Sequence, residues 1–233
     1  MDPSVVSRRM DRMKKSISIW SFYTSGTLAD KLALAKDAGF AGFEIDLSDS
    51  GPVNLSSTES DLLAIRRLAD QHGLELSGLA TGMYWGANPV SSSEETRERA
   101  RHILSRQLAA AQTLGIDTIL VVPGAVGVDF IPGSEVIPYE TAYQRAGDFI
   151  RSMLPEAERR GVLIGIENVW NKMLLSPMEM RAFIDQFQSE WVCSYFDVGN
   201  ALLTGYPEQW IDLLAHRIGR IHFKDFRRAV GTT

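Results

Sequence analysis

The sequence is short of the features that mark secreted and membrane proteins. It contains one cysteine, Cys193, which excludes an internal disulfide and suits a reducing compartment. The apolar run after the charged N-terminus, Ile17 to Phe22, is far too short for a signal peptide or a membrane span. We therefore expect a cytoplasmic protein that has no membrane partner.

The chain also lacks an excess of positive charge. Its formal net charge is −5 at pH 7. A protein whose main partner is nucleic acid needs a basic face for phosphate contacts, so we expect no nucleic-acid partner. A small anionic substrate held by a few local lysines and arginines remains compatible with this charge.

Size and composition favour one folded unit. The 233 residues are 45% hydrophobic and 23% charged, which is enough to bury one substantial core. The chain has no low-complexity tract, no long linker and no abrupt change of composition. We therefore predict a single domain over residues 1–233.

A repeating unit organises the chain: an amphipathic segment, a glycine and then a short apolar run. Each glycine can adopt the left-handed conformation that ends a helix. The glycines are Gly39, Gly73, Gly115, Gly161 and Gly219. The apolar runs that follow them are FAGFEI, LELSGLA, IDTILVV, VLIGIE and RIHF. A helix start is marked at Ser176, which is followed by a proline and, three residues on, by Glu179.

Two further strands, near residues 16–22 and 191–198, bring the predicted number to seven, with helices between them. Such alternation predicts a parallel sheet, either open and doubly wound or closed into a TIM-type barrel. No G-x-G-x-x-G motif opens the first unit, so a dinucleotide-binding sheet has no support. The polar residues at the strand ends favour the barrel, in which functional groups gather at the C-terminal ends of the strands.

Three successive predicted strands end in a side chain that can bind a metal. Glu167 closes the fifth strand, Asp197 the sixth and His222 the seventh. Neighbouring strands lie about 5 Å apart, so these side chains can share one small volume. Any one of them is equally well explained as a structural ion pair, but two carboxylates and an imidazole together suit one divalent ion such as Mn²⁺, Mg²⁺, Co²⁺ or Zn²⁺.

The sequence resembles the sugar phosphate isomerase/epimerase family of xylose isomerase-like TIM barrels. The resemblance covers nearly the whole chain and is strongest in IGIENVWN, YFDVGNALLTGYPEQW and RIHFKDF. Members of this family include ketose 3-epimerases, hydroxypyruvate isomerase, inosose dehydratase and pentulose-5-phosphate 3-epimerases. The resemblance implies a metal-dependent isomerase or epimerase that acts on a small keto sugar or sugar phosphate through an enediolate. Family members often form dimers or tetramers.

In that family, acidic residues closing strands five, six and eight and a histidine closing strand seven bind one metal. The resemblance implies that Glu167, Asp197 and His222 are three of these four ligands, and that Glu167 is also the catalytic base. The fourth ligand has no counterpart, because the sequence stops directly after the seventh strand. We therefore expect a barrel whose eighth strand is missing from a C-terminally incomplete chain, which puts two-base epimerisation in doubt.

Other residues are expected to contact the substrate: Glu44, Trp85, Asn200, Lys224 and Arg228. Lys224 and Arg228 follow the histidine ligand and suit a phosphate, although a solvated basic tail explains them equally well. Two positions depart from ketose 3-epimerases of the tagatose type, which carry glutamate where this chain has Met173 and histidine where it has Asn200. These departures argue against transferring the substrate of that group.

Three alternatives stay open. A dehydratase would use the same ligands and end in loss of water. A non-catalytic sugar-binding barrel would keep a degenerate site. A DNA-repair endonuclease on the related barrel would need many histidines for its zinc ions, whereas the chain has four histidines and an acidic balance.

Overall fold

The computed structural model describes residues 13–23 and 26–226. Over this part of the chain, seven strands form one parallel sheet in the order β1 to β7. The strands are β1 (Ser16–Ser18), β2 (Gly42–Leu47), β3 (Glu75–Thr81), β4 (Thr118–Val121), β5 (Leu163–Glu167), β6 (Val192–Asp197) and β7 (Ile218–His222). The helices are α1 (Leu28–Asp37), α2 (Glu59–Gln71), α3 (Glu94–Leu114), α4 (Tyr139–Arg160), α5 (Pro177–Asp185), α6 (Val198–Ala201) and α7 (Pro207–Leu214).

The sheet is strongly curved, because side chains of the last strand reach the early strands across its interior. Arg220 of β7 donates from Nε to the Ser77 carbonyl of β3 at 3.0 Å. Two residues further along β7, Nε2 of His222 lies 2.8 Å from Oε2 of Glu44 on β2. The described residues thus form a TIM-type barrel wall with one strand fewer than eight, which confirms the predicted fold class.

Burial is greatest in the middle of this wall. Every residue of β4, β5 and β6 is buried, as expected for parallel strands covered on both faces. Every residue of β7 is only partly buried, and β1 is partly exposed. These two strands each have one strand partner among the described residues. None of the helices in residues 13–23 and 26–226 is long and apolar enough to cross a membrane.

Local sequence signals explain most helix boundaries. The Ser176 hydroxyl accepts the Glu179 N–H at the start of α5, as its sequence predicts. Gly115 and Gly161 end the two longest helices with φ of 77° and 67°, a conformation that costs glycine little. Gly39 and Gly73 are also left-handed.

The prediction for Gly219 was wrong, because this residue lies inside β7 and does not end a helix. The preceding helix, α7, ends instead at Ala215, whose φ is 45°, and a short helical turn, Ala215–Arg217, leads into β7. A Cβ at residue 219 would lie 2.5 Å from Sγ of Cys193 on β6. Gly219 therefore allows β6 and β7 to approach each other over the Cys193 side chain.

This packing can be tested with a double-mutant cycle. We expect Gly219→Ala to lower the free energy of unfolding by about 1–3 kcal/mol, because the new methyl group overpacks against the thiol. Cys193→Ala in the same chain removes the clashing sulfur and should recover most of that loss. Urea unfolding of the wild type, both single variants and the double variant measures the coupling. Strictly additive losses would contradict the proposed contact.

Candidate metal site

The three predicted ligands converge at the C-terminal end of the barrel. Glu167 and Asp197 are the last residues of β5 and β6, and His222 is the last residue of β7. In the sheet register Asp197 lies beside His222, and Glu167 lies beside Tyr195, two residues before Asp197. Side chains two residues apart on a strand point to the same face, so all three project into the barrel mouth.

Their ligand atoms are close enough to surround one ion. One donor atom from each residue lies within 4.8 Å of the other two. Nδ1 of His222 is 3.8 Å from Oε1 of Glu167 and 4.0 Å from Oδ2 of Asp197. Two atoms bound to one ion at about 2.0–2.2 Å lie at most about 4.4 Å apart, so closure needs only shifts of a few tenths of an ångström. This set of two carboxylates and one partly buried imidazole therefore fits a divalent cation.

The two carboxylate oxygens of Asp197 have different partners. Oδ1 accepts the N–H of Asn200 at 2.6 Å and caps the short helix α6. Oδ2 faces the site, at 3.2 Å from Nζ of Lys224. Asn168 clamps the same residue, because its amide donates to the Asp197 carbonyl and accepts the Asp197 N–H, both at 2.8 Å. Asp197 is thus held at both its backbone and its side chain.

Burial and neighbouring charges shift the pKa values of Glu167 and His222. Burial raises the pKa of the Glu167 carboxyl, and the nearby imidazole opposes this effect. Burial lowers the pKa of the His222 imidazole, but the carboxylates of Glu167 and Glu44 outweigh it and raise that pKa to about 10. The charges of Glu167, Glu44 and His222 therefore affect one another's protonation.

Glu44 lies on the other side of the histidine from Glu167 and Asp197. Its Oε2 is 2.8 Å from Nε2 of His222 and also accepts the hydroxyl of Tyr195. Burial alone would raise the pKa of Glu44, but the hydrogen bonds and charge of its neighbours lower it. The substrate contact predicted for Glu44 stays a prediction, since the partners of its carboxylate, His222, Tyr195 and Ser18, all belong to the protein.

Lys224 and Asn200 lie together at the rim of the site. Nζ of Lys224 donates to Oδ1 of Asn200 at 2.6 Å and lies 5.2 Å from the centre of the Trp170 ring. The Asn200 amide is buried and donates to the Asn168 carbonyl at 2.9 Å. The structure therefore brings two predicted substrate contacts directly next to the predicted ligands.

Of the two remaining predicted contacts, Trp85 packs against another aromatic ring and Arg228 is not among the described residues. Trp85 follows β3 in a short helical turn, and its ring packs edge-on against Phe130 at 5.2 Å between centroids. Arg228 lies outside the described residues. Met173, at the position where the resemblance to tagatose-type ketose 3-epimerases implies a glutamate, is buried in the apolar core. The roles proposed for Trp85 and Arg228 remain predictions.

Two supporting residues were missed in the sequence. Asn168 directly follows Glu167, a predicted ligand, and an amide at a strand end is a signal for a hydrogen bond to the backbone of a neighbouring strand. Tyr195 stands two residues before Asp197, so strand periodicity places it on the same inward face.

Comparison with known proteins agrees with this geometry. A sequence profile of the xylose isomerase-like TIM barrel family matches residues 32–233. The chain belongs to this family. As a xylose isomerase-like barrel, it carries its candidate site at the strand ends where the loops of such barrels meet.

Several xylose isomerase-like proteins show the extent of the similarity. SgbU of Escherichia coli strain K12, provisionally named L-ribulose-5-phosphate 3-epimerase, is 25% identical over 206 residues, covering 87% of this chain and 69% of SgbU. A D-psicose 3-epimerase crystallised with D-fructose superimposes with a TM-score of 0.78 at 19% identity, over 91% of this chain and 73% of the other. The 3-keto-D-glucoside 4-epimerase YcjR of E. coli gives 0.73 at 17% identity, over 92% and 80%. At this identity the solved structures establish a shared fold.

The Asn168 clamp leads to a test with a matched control. Asn88 makes the same reciprocal pair, to the backbone N–H and carbonyl of Ala125, both at 3.0 Å. We expect Asn168→Ala and Asn88→Ala each to lower the free energy of unfolding by about 1–3 kcal/mol, because each leaves backbone groups unpaired. Only Asn168→Ala should also weaken Co²⁺ binding, by about tenfold, in calorimetric titrations. Equal Co²⁺ affinity in the two variants would show that the clamp does not orient the site.

Proposed function

We propose that the protein is a divalent-metal-dependent isomerase or epimerase of a small keto sugar or sugar phosphate. The observation that carries the proposal is the convergence of Glu167, Asp197 and His222 at one barrel mouth, with donor atoms within 4.8 Å of one another. Family membership and the names of its relatives support the same class, since SgbU and both solved structures above are named as sugar epimerases.

The protein groups that would hold the ion are the two carboxylates and Nδ1 of His222. When bound, a divalent ion polarises a substrate carbonyl and stabilises the negative charge that develops as the adjacent carbon loses a proton. Asn168 and Asn200 keep Asp197 in place, and Asn200 with Lys224 forms the polar rim against which a hydroxyl or phosphate of the substrate would bind.

Glu167 is the proposed base. Its carboxylate is 8% exposed and faces the mouth, so a bound substrate would displace the remaining water from it. A carboxylate in such a position accepts the proton from the carbon next to the carbonyl, which gives an enediolate. Return of the proton from Glu167 to the neighbouring carbon gives isomerisation, whereas epimerisation needs a second acid that delivers a proton to the opposite face of the same carbon.

The site also bears on the alternative functions. A dehydratase would use the same proton abstraction and then expel a hydroxyl group from the next carbon. A non-catalytic barrel would need neither a bound ion nor a base. The dehydratase differs from the proposal in its product, and the non-catalytic barrel forms no product.

Proton abstraction by Glu167 has a direct test. We expect the wild type, supplied with Mn²⁺ and a panel of ketoses and ketose phosphates in D₂O, to form epimers or aldoses that carry deuterium at the reacting carbon. Glu167→Gln should lower kcat by about 10²–10⁴-fold, because the amide cannot accept the proton. Glu140→Gln, an exposed carboxylate in the first turn of α4, should keep wild-type activity.

NMR of the products distinguishes the outcomes. Loss of water from the sugar would favour the dehydratase. The absence of both metal binding and turnover across the panel would contradict the proposal and favour a sugar-binding barrel.

Lys224 provides a test of the substrate's charge. If the substrate is phosphorylated, Lys224→Met should raise KM for the phosphorylated ketose by about 10–100-fold, because a charged hydrogen bond contributes about 1.5–3 kcal/mol. KM for the matching free ketose should change much less. Lys36→Met, which removes a lysine that donates to the Gly73 carbonyl, is the control. Equal increases in KM for both substrates would show that Lys224 maintains the structure of the site and does not bind a phosphate.

A further inference from the structure

The His222 imidazole uses its two nitrogens on opposite sides. Nε2 lies 2.8 Å and 3.0 Å from the two oxygens of Glu44. Nδ1 faces the other way, 3.8 Å from Glu167 and 4.0 Å from Asp197. One nitrogen is thus engaged by a carboxylate that is not among the candidate ligands, and the other points into the candidate metal site.

We propose that Glu44 is a positioning residue that accepts Nε2–H of His222 and so holds Nδ1 toward the metal site. This inference rests on the proposed function, because it assigns Glu44 a part in building the same site. A carboxylate on the second nitrogen of a metal-binding histidine fixes the tautomer and the orientation of the ring. In this role Glu44 supports one of the candidate metal ligands.

Glu44 is itself rigidly placed. Its side chain is 4% exposed, and it stands on β2, five strands along the sheet from β7. The Tyr195 hydroxyl donates to the same Oε2 that meets Nε2 of His222. The Tyr195 ring also packs edge-on against the imidazole, with 4.8 Å between ring centroids. A buried acceptor that is held by other side chains therefore leaves the histidine one favoured orientation.

Two glycines make room for this arrangement. A Cβ at Gly78 of β3 would lie 2.5 Å from the Tyr195 hydroxyl oxygen and 3.3 Å from Oε2 of Glu44. A Cβ at Gly165 of β5 would lie 2.8 Å from the Tyr195 ring. Side chains at either position would push the tyrosine away from Glu44. Five strands thus shape this hydrogen-bonded set: β2, β6 and β7 carry Glu44, Tyr195 and His222, and β3 and β5 leave room for them.

The first experiment compares metal affinity with stability. We expect Glu44→Ala to weaken Zn²⁺ binding by about 10–100-fold in competition titrations, the usual effect of losing such a support. Glu44→Gln keeps an oxygen acceptor for Nε2–H and should weaken binding less than Glu44→Ala does. Tyr195→Phe leaves both Glu44 and His222 in place and should weaken binding by a few fold.

Gln107→Leu is the control for stability alone. The Gln107 amide is buried and donates to the Leu79 and Leu120 carbonyls at 2.9 and 3.0 Å, so its loss destabilises β3 and β4. We expect this variant to unfold more easily but to bind Zn²⁺ like the wild type. If Glu44→Ala does not fold, the Glu44→Gln and Tyr195→Phe variants measure the same effect.

The second experiment determines which ring nitrogen of His222 binds the metal and which is protonated. Two-bond ¹H–¹⁵N spectra of Zn²⁺-loaded protein labelled at its four histidines should show the His222 signals as metal-bound Nδ1 and protonated Nε2. Assignment comes from the signals lost in His222→Gln. The Glu44→Ala spectrum should lose the slowly exchanging Nε2–H.

The outcomes separate this inference from the function on which it rests. Zn²⁺ binding through Nε2, or affinity in Glu44→Ala within twofold of the wild type, would overturn the positioning role while the metal site stands. A wild type that binds neither Zn²⁺ nor Mn²⁺ would overturn the proposed function as well.

Discussion

Two carboxylates buried at one barrel mouth set the main constraint on this structure. Glu167 and Asp197 are 8% and 2% exposed, and charges so far from water need opposite charges or hydrogen-bond donors nearby. The surrounding residues meet that need in different ways. His222 and Lys224 bring positive charge to within 4.0 Å, and the Asn200 N–H donates to Asp197. A divalent ion would satisfy the same carboxylates, so the electrostatics of folding and of the proposed function coincide.

The barrel supplies the geometry that this constraint requires. Parallel strands end at one rim, and curvature of the sheet brings β2 close to β7 although they are distant in its order. The small residues of the inner wall matter as much as the charged ones. Gly78 and Gly165 leave space for Tyr195, and Gly219 leaves space for Cys193. Each of these strands therefore contributes either a functional group or the room for one.

Sequence patterns predicted the parts of the fold and site that depend on local order. Alternating helices and strands gave the parallel barrel, and Glu167, Asp197 and His222 were recognisable because each closes its own strand. The contact between Glu44 and His222 was out of reach, because 178 residues separate the partners and only closure of the sheet joins them. Gly219 was misread because a glycine before an apolar run looks the same whether it ends a helix or lets two strands approach. Asn168 was overlooked because its partner is the backbone of another strand.

The central claim is that a glutamate, an aspartate and a histidine bind one ion together. Anomalous diffraction at the zinc absorption edge, from crystals soaked in Zn²⁺, tests it most directly. We expect one strong anomalous peak in contact with Glu167, Asp197 and Nδ1 of His222, with each donor atom about 2.0–2.2 Å from it. A site without a peak, or a peak that one of the three residues does not contact, would contradict it.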